Sequence, residues 1–277
     1  MIKRIIIAYD GSDLAREAFA FSVMIAEAAK VEVVGMHAIE PPPAPVAVAD
    51  PAAGFDPNPI LVGGVRDTQE DRDRERDRFQ RELGEQEAYC KQREVPCSMV
   101  IEEGRLRDLL IELADPTDLI AVGMKGRFAR AGFGSSTRAL VQKGPCPVLV
   151  ASGPLRPVNR VLGVYDGTGP SKRAVQWSIA VAEQTGWPLT LLAVSGPKLS
   201  LDDSLQQAQD LAPDAQVVHY GPDGDDASDQ IEAAAEHAKM SLLVMGAYSD
   251  SWLHQLLFGG TTGQVLSHIE APVVLVH

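Results

Sequence analysis

The sequence predicts an α/β protein made of two tandem copies of an open, parallel-sheet domain. Apolar segments such as residues 3–9 (KRIIIAY) run without alternation, which is typical of parallel strands covered by helices on both faces. Strands and helical patterns alternate through the first half as β-α-β-α-β-α-β-α-β, which gives five strands. The segment at residues 3–13 (KRIIIAYDGSD) returns at residues 159–169 (NRVLGVYDGTG), and a repeat on this scale indicates two copies of one domain.

The chain opens with a βαβ unit. Its first strand ends at Asp10-Gly11, where glycine allows a sharp turn and either Ser12 or Asp13 is placed to cap the following helix. Residues 31–39 (VEVVGMHAI) are the second strand, reached by a right-handed crossover. The helix between them has apolar residues three or four positions apart, which marks one buried face: Ala15, Phe19, Val23, Ala26 and Ala29.

Residues 40–69 interrupt this order with an insertion rich in proline and glycine. Because proline fixes φ and removes a backbone donor, the insertion is predicted as a long irregular loop that cannot lie inside a sheet. Loops of this length are either surface insertions or functional lids over a neighbouring site, and both interpretations stay open here.

A charged helix is predicted after the insertion. Residues 70–93 place acids and bases three and four positions apart, which indicates a solvent-facing helix with a sparse apolar stripe of Phe79, Leu83 and Tyr89. A strand at residues 97–102 and a helix at residues 106–114 complete this part of the first copy.

A glycine-rich loop follows the apolar strand at residues 118–122, and a helix and a last strand at residues 147–150 come after it. First-turn N–H groups of a helix lack intrahelical partners, and the helix dipole favours an anion, so this order of elements is suited to a phosphate. Simple helix capping is the alternative for the hydroxyl residues. The loop and the helix start contribute Gly123, Gly126, Gly134, Ser135, Ser136 and Thr137.

The second copy begins after a short linker at residues 152–158, so we predict domains at residues 1–151 and 158–277. Between the first strand and the glycine loop it is about 33 residues shorter than the first copy, and the insertion explains most of that difference. Its later elements are predicted as strands at 189–194, 216–220, 241–245 and 272–276, helices at 171–184, 201–211 and 225–238, a loop at 246–262 and a helix reaching 269.

The composition of the chain and its motifs argue against several classes of function. The chain has 277 residues and a formal net charge of -13, which argues against a nucleic-acid-binding surface. Three irregularly spaced cysteines fit a reducing compartment, and neither a signal peptide nor a membrane-spanning run is apparent, so a cytoplasmic protein is expected. The six histidines show no metal-ligand spacing, and no Walker motif or nucleophile elbow occurs.

Four features in fixed order resemble the universal stress protein family over nearly the whole chain. They are a first strand ending in Asp-Gly, a fourth strand ending in glycine, the glycine loop, and a terminal Pro-Val-x-Val strand, each present twice. The resemblance implies a five-stranded parallel sheet with helices on both faces, of the adenine-nucleotide alpha-hydrolase type. It also implies that the halves pack as a pseudo-dimer through their last strands, with a further homodimer as an option.

Nucleotide-binding members of this family carry a loop of the form Gly-two-Gly-nine-Gly-Ser/Thr. The first copy has three matching glycines, but seven residues separate the last two; the second has the full length, but Ser249 replaces the middle glycine. We rank the first copy slightly ahead, because it keeps the glycines and hydroxyls, and the second copy stays open as the alternative binding site. The residues that the resemblance assigns to the ribose, adenine and phosphates are Ala8, Asp10, His37, Ala38, Ile39, Gly123, Gly126, Gly134, Ser135 and Ser136, with Asp166, Gly246, Gly259, Gly260 and Thr261 in the second copy.

For Asp10, turn formation is the alternative to ligand contact. The expected ligand is ATP, or AMP or ADP, with or without Mg²⁺, and the expected role is regulation in a stress response. A scaffold that binds no nucleotide and acts through its pseudo-dimer surface is the rival from another class. A slow ATPase is a third reading, although the chain offers no evident base to activate water.

Overall fold

The computed structural model describes residues 1–41, 46–48, 60–62, 68–125, 134–195, 199–220, 229–231, 233–234, 241–247 and 271–277, with only the backbone at 46–48 and 60–62. The predicted site residues Gly126, Gly259, Gly260 and Thr261 lie outside these ranges, as do the predicted loop from residue 248 and the helix reaching 269.

The first copy contains seven strands and four helices among the described residues. They are β1 (Arg4–Ala8), α1 (Asp13–Ala29), β2 (Glu32–Ile39), β3 (Val46–Val48), β4 (Ile60–Val62), α2 (Gln69–Gln92), β5 (Cys97–Glu103), α3 (Leu106–Leu113), β6 (Asp118–Gly123), α4 (Ser135–Lys143) and β7 (Val148–Ala151).

The second copy follows the same order. Its described elements are β8 (Arg160–Tyr165), α5 (Gly169–Thr185), β9 (Leu189–Ala193), α6 (Leu201–Leu211), β10 (Gln216–Val218), β11 (Ser241–Gly246) and β12 (Val273–Val276). Residues 229–231 and 233–234 are also helical and fall within the helix predicted at 225–238.

Ten strands form one sheet in the order β10-β9-β8-β11-β12-β7-β6-β1-β2-β5. Each copy contributes five neighbouring strands, all parallel to one another. The predicted fold class, two open five-stranded parallel sheets, is therefore confirmed.

The two copies meet where β12 pairs with β7, and this is the one antiparallel pairing of the ten-stranded sheet among the described residues. Val274 lies opposite Leu149, with Val273 opposite Val150 and Leu275 opposite Val148. All six side chains are buried, and α1 packs against α5 across the junction. The halves are thus joined through their last strands, as the family resemblance implies.

Helices cover both faces of the sheet. One face packs α1, α2 and α5 over a core that contains Ile5, Ile7 and Phe19, and the other packs α3 and α4 over Ile6, Val122 and Leu140. The chain adds β2 and β5 on one side of β1 and then returns to add β6 and β7 on the other side. Right-handed crossovers in these two directions place their helices on opposite faces of the sheet. Every residue of the predicted α1 face is buried, and Ser12 rather than Asp13 caps the helix by accepting the Ala15 N–H.

Helix α2 faces solvent along most of its length, as predicted. Thr68 and Asp71 form a reciprocal capping box at its start, and ion pairs such as Arg78–Glu82 and Lys91–Glu87 lie one turn apart. Its buried stripe is Phe79, Leu83 and Cys90, whereas the predicted third member, Tyr89, is half-buried. Residue 90 lies seven positions after Leu83 and therefore returns to the same face of the helix. This explains why Cys90, and not Tyr89, completes the buried stripe.

The proline-rich insertion contains a short antiparallel pair, β3 with β4, which forms a separate two-stranded sheet. The prediction of a wholly irregular loop is therefore wrong at these six residues. The prolines lie outside the two strands, and β-branched Val46, Val48, Ile60 and Val62 are good strand formers. The expectation that the insertion stays out of the main sheet agrees with the strand order.

Among the described residues, no helix combines the length and apolar character that crossing a bilayer requires.

Candidate functional site

The predicted site residues of the first copy lie at one edge of the sheet. Strands β6, β1 and β2 are adjacent and parallel, so their carboxyl ends bring together Gly123, Ala8 and Ile39. Asp10 lies two residues after the end of β1, and Ser135 begins the helix that follows the glycine loop. The carboxyl edge of a parallel sheet is the usual ligand position in open α/β folds.

Asp10 forms the turn after β1. Its Oδ1 accepts the Ser12 N–H at 3.0 Å, while Gly11 adopts a φ of 72°, in the left-handed region. The second copy repeats the turn: Oδ1 of Asp166 accepts the Thr168 N–H at 3.0 Å. The turn-forming role considered for Asp10 is therefore present in both copies, and any ligand contact would be additional to it.

His37 is packed in the interior, 4% exposed, at the carboxyl end of β2. Its Nδ1 donates to the Tyr9 carbonyl oxygen at 2.8 Å, and its ring stacks on Phe79 of α2 with centroids 3.3 Å apart. The Nε2 atom lies 3.6 Å from a carboxylate oxygen of Glu75. The side chain thus ties the end of β1 to α2, while Ala38 and Ile39 beside it are buried.

Burial lowers the pKa of His37 below its ordinary value, against the opposing effects of the Tyr9 carbonyl and Glu75. The unfolded chain therefore binds this proton at a higher pH than the folded chain does. We expect the free energy of unfolding to fall as pH drops below about 6.5, because protonation is then favoured in the unfolded state.

Urea unfolding at a series of pH values measures this dependence, with His37→Gln as the control that keeps an N–H donor but does not titrate. In the variant, the free energy of unfolding should depend less steeply on pH between about pH 6.5 and 5. The remaining dependence should come from His277, because burial also lowers the pKa of that side chain. Identical slopes for the two proteins would contradict the assignment.

Sequence reasoning missed the contacts that α2 makes with this edge. The Tyr9 hydroxyl lies 3.5 Å from Glu82, which also forms an ion pair with Arg16. In the second copy the Tyr165 hydroxyl donates to Gln207 of α6 at 2.8 Å. The repeated Tyr-Asp-Gly at the end of each first strand was the available signal, although nothing in the sequence locates its partners.

The ends of the first glycine loop are held together by backbone and hydroxyl hydrogen bonds. The Gly134 N–H donates to the Met124 carbonyl at 2.9 Å, and the Thr137 hydroxyl donates to the Gly123 carbonyl at 3.0 Å. The Met124 N–H donates in turn to the carbonyl of Ala151 at 2.8 Å. The N-terminus of α4 is consequently fixed beside the end of β6.

Gly134 is the N-cap residue of α4, and no side chain caps this helix. The capping alternative for the serines therefore does not apply: Ser135 and Ser136 are the first two helical residues, and Ser135 is exposed. Helices α1, α2, α5 and α6, by contrast, each begin with a Ser or Thr side chain that accepts a backbone N–H.

Gly123 and Gly246 have a packing role that is independent of any ligand. A Cβ on Gly123 would lie 2.9 Å from Cβ of Leu14 and 3.0 Å from its carbonyl carbon, in the first turn of α1. A Cβ on Gly246 would lie 2.7 Å from the carbonyl carbon of Pro170, in the first turn of α5. Each glycine lets its strand end touch the helix that follows the first strand of its copy.

Within the described ranges, no group of three or more His, Cys, Asp or Glu side chains is arranged to hold a metal ion. Lys125 lies partly buried at the start of the glycine loop, and Arg127 falls outside the described residues.

The comparisons with known proteins agree with this architecture. The model of the Universal stress protein family matches residues 1–152 and 157–277. A universal stress protein from Synechocystis sp. is 27% identical over 184 residues, a match that spans 62% of each chain.

Solved structures reproduce the fold along the whole chain. The crystal structure of a universal stress protein from Archaeoglobus fulgidus matches with a TM-score of 0.67 at 15% identity and covers 99% of this chain and 97% of its own. A functionally unknown protein from Pseudomonas aeruginosa matches with a TM-score of 0.50 at 15% identity, covering 99% and 92% respectively.

Proposed function

This chain belongs to the universal stress protein family, and we propose that it acts as a stress-response regulator that binds ATP or another adenine nucleotide in its first copy. The observation that carries the proposal is the uncapped N-terminus of α4, fixed beside the carboxyl end of β6. Ser135 is exposed there, next to Gly134, which has no Cβ to obstruct a phosphate.

The chemistry of this helix start favours phosphate. The first N–H groups of α4 have no intrahelical acceptor, and the aligned peptide dipoles favour negative charge at that end. Because the Gly134 and Thr137 hydrogen bonds already hold the loop ends, a phosphate would meet donors that are positioned before it arrives. Mg²⁺ would enter with the nucleotide.

The second copy is the weaker candidate. Ser249 stands where the family loop has its middle glycine, and a serine Cβ hinders both positive φ and a close backbone approach. We keep the domain limits of 1–151 and 158–277, and a cytoplasmic location, as parts of the same proposal. The three free cysteines support that location.

A carboxylate at position 135 is the sharpest test. Ser135→Asp should weaken ATP affinity at least tenfold, because the new charge repels the phosphates at the helix N-terminus. The same charge should raise helix stability by about 0.5 kcal/mol, since acids are favourable in a first turn. Isothermal titration with Mg-ATP and thermal unfolding therefore give effects of opposite sign, which a misfolded variant cannot produce.

Thr261→Asp is the control in the glycine loop of the second copy, and it should leave the affinity unchanged. Loss of binding in that variant alone would move the site to the second copy. Native mass spectrometry of the purified protein would check for co-purifying nucleotide. No bound nucleotide and no heat of binding would favour the scaffold, and phosphate release above background would favour the slow ATPase.

A further inference from the structure

Two cysteines of the first copy lie on the same face of the sheet. Cys90 is completely buried in the last turn of α2, and Cys97 is the first residue of β5 and partly exposed. Cys97 packs against the hydrophobic core that contains Cys90, beneath α1 and α2. Cys146, the third free cysteine, is buried in the separate core on the opposite face.

The connection between α2 and β5 folds tightly back on itself. The N–H groups of Arg93 and Val95 both donate to the Cys90 carbonyl at 3.0 Å, and Glu94 adopts a left-handed φ of 57°. The Cys97 thiol is directed at the last turns of α2, where its Sγ lies 4.0 Å from the Glu87 carbonyl oxygen. Cys97 contributes to raising the pKa of the Cys90 thiol, and the two side chains share this core, so the thiols are neighbours.

We propose that Cys90 and Cys97 are a peroxide-sensitive thiol pair that forms an intramolecular disulfide. In the first step, the Cys97 thiol reduces hydrogen peroxide to water and becomes a sulfenic acid. In the second, the Cys90 sulfur attacks the Cys97 sulfur, the S–S bond forms, and the S–O bond breaks. The departing oxygen takes the Cys90 proton and leaves as a second water, so that two thiols and one peroxide give one disulfide and two waters.

The difference in exposure sets the order of these steps. An oxidant reaches Cys97 from solvent, whereas Cys90 has no exposed surface. Burial, together with the neighbouring Cys97, raises the pKa of Cys90 to about 12, so Cys90 stays protonated and unreactive until a sulfenic acid forms beside it. Cys146 is also buried and has a raised pKa of about 12, but it lacks a neighbouring thiol on its face of the sheet among the described residues.

The test is to treat the full chain with hydrogen peroxide and to measure its intact mass and its tryptic peptides without reduction. We expect the mass to fall by two hydrogen atoms and the count of free thiols in denaturant to fall from three to one. Because trypsin cleaves after Lys91 and Arg93, the bridge should appear as two peptides joined through Cys90 and Cys97. The bridge should also raise the midpoint of thermal unfolding by about 5 °C.

Three alanine variants separate the pair from unspecific oxidation. Cys97→Ala should abolish the mass loss, Cys90→Ala should accumulate oxygen on Cys97 without a bridge, and Cys146→Ala should still form the bridge. A bridge that involves Cys146, dimers linked between chains, or addition of oxygen atoms in the unsubstituted protein in place of the mass loss would each overturn the proposal.

Discussion

Replacing Gly123 with valine should lower the free energy of unfolding by about 3 kcal/mol, because the new side chain would enter the first turn of α1. Its Cβ would lie 2.9 Å from Cβ of Leu14 and 3.2 Å from the backbone nitrogen of Ala15. A backbone at a helix start cannot rotate away as a flexible side chain can, so either β6 or α1 must shift. Gly123→Ala should cost less, about 1–2 kcal/mol, and Gly246→Val should resemble Gly123→Val.

Gly84 supplies the matched control. It lies exposed in the middle of α2, and a Cβ there meets no atom within 4 Å among the described residues. Gly84→Ala should therefore stabilise the protein by about 0.5–1 kcal/mol, because alanine lowers the entropy of the unfolded chain and favours a helix. Urea unfolding of the variants measures both the expected loss of stability at Gly123 and the expected gain at Gly84. A Gly123→Val protein as stable as the unsubstituted chain would show that the strand end can move.

This packing role changes how ligand-binding data on these glycines should be interpreted. A Gly123→Val protein that fails to bind nucleotide would not reveal a phosphate contact, because the substitution also forces β6 or α1 to shift. Ser135 avoids this ambiguity, since it is exposed and takes no part in capping α4.

The second large effect is expected at the ion pair between β1 and β6. Asp118 is 4% exposed, and its Oδ2 accepts from Nη2 of Arg4 at 2.7 Å and from the Asp115 N–H at 2.9 Å. The same carboxylate raises the pKa of Arg4. Asp118→Ala should cost about 3 kcal/mol, because it leaves a half-buried guanidinium without its carboxylate partner and the Asp115 N–H without its acceptor.

A double-mutant cycle with Arg4→Met isolates the charge interaction, and we expect a coupling of about 1–2 kcal/mol. Asp118→Asn should be intermediate, because its amide oxygen still accepts the Asp115 N–H. The second copy offers the control: Ser241 lies opposite Arg160 in the same register, and its hydroxyl has no partner among the described residues. Ser241→Ala should change stability by less than about 0.5 kcal/mol. If the coupling energy between Arg4 and Asp118 were zero, the stability lost in Asp118→Ala would come from the lost hydrogen bond to the Asp115 N–H and not from the ion pair.

The strands and most helices could be predicted from local patterns, because continuous apolar runs and three-to-four spacing depend on neighbouring residues alone. The stack of His37 on Phe79 could not, since the two residues are separated by an insertion whose length has no periodic signal. The packing role of Gly123 was also hidden, because a glycine that approaches a helix and a glycine that would approach a phosphate are identical in sequence. The β3–β4 pair could not be predicted either, because the many prolines around the two short strands indicate an irregular loop.

The antiparallel pairing of β7 with β12 also bears on how the protein evolves. In a symmetric homodimer, one substitution changes both subunits at once, so the two sites remain equal. Here one covalent chain supplies both partners of the interface at a fixed ratio and at the high effective concentration of an intramolecular contact. Each copy is therefore free to accumulate its own changes while assembly stays intact. The Arg4–Asp118 ion pair and its counterpart, in which Arg160 lies opposite the uncharged Ser241, already illustrate this.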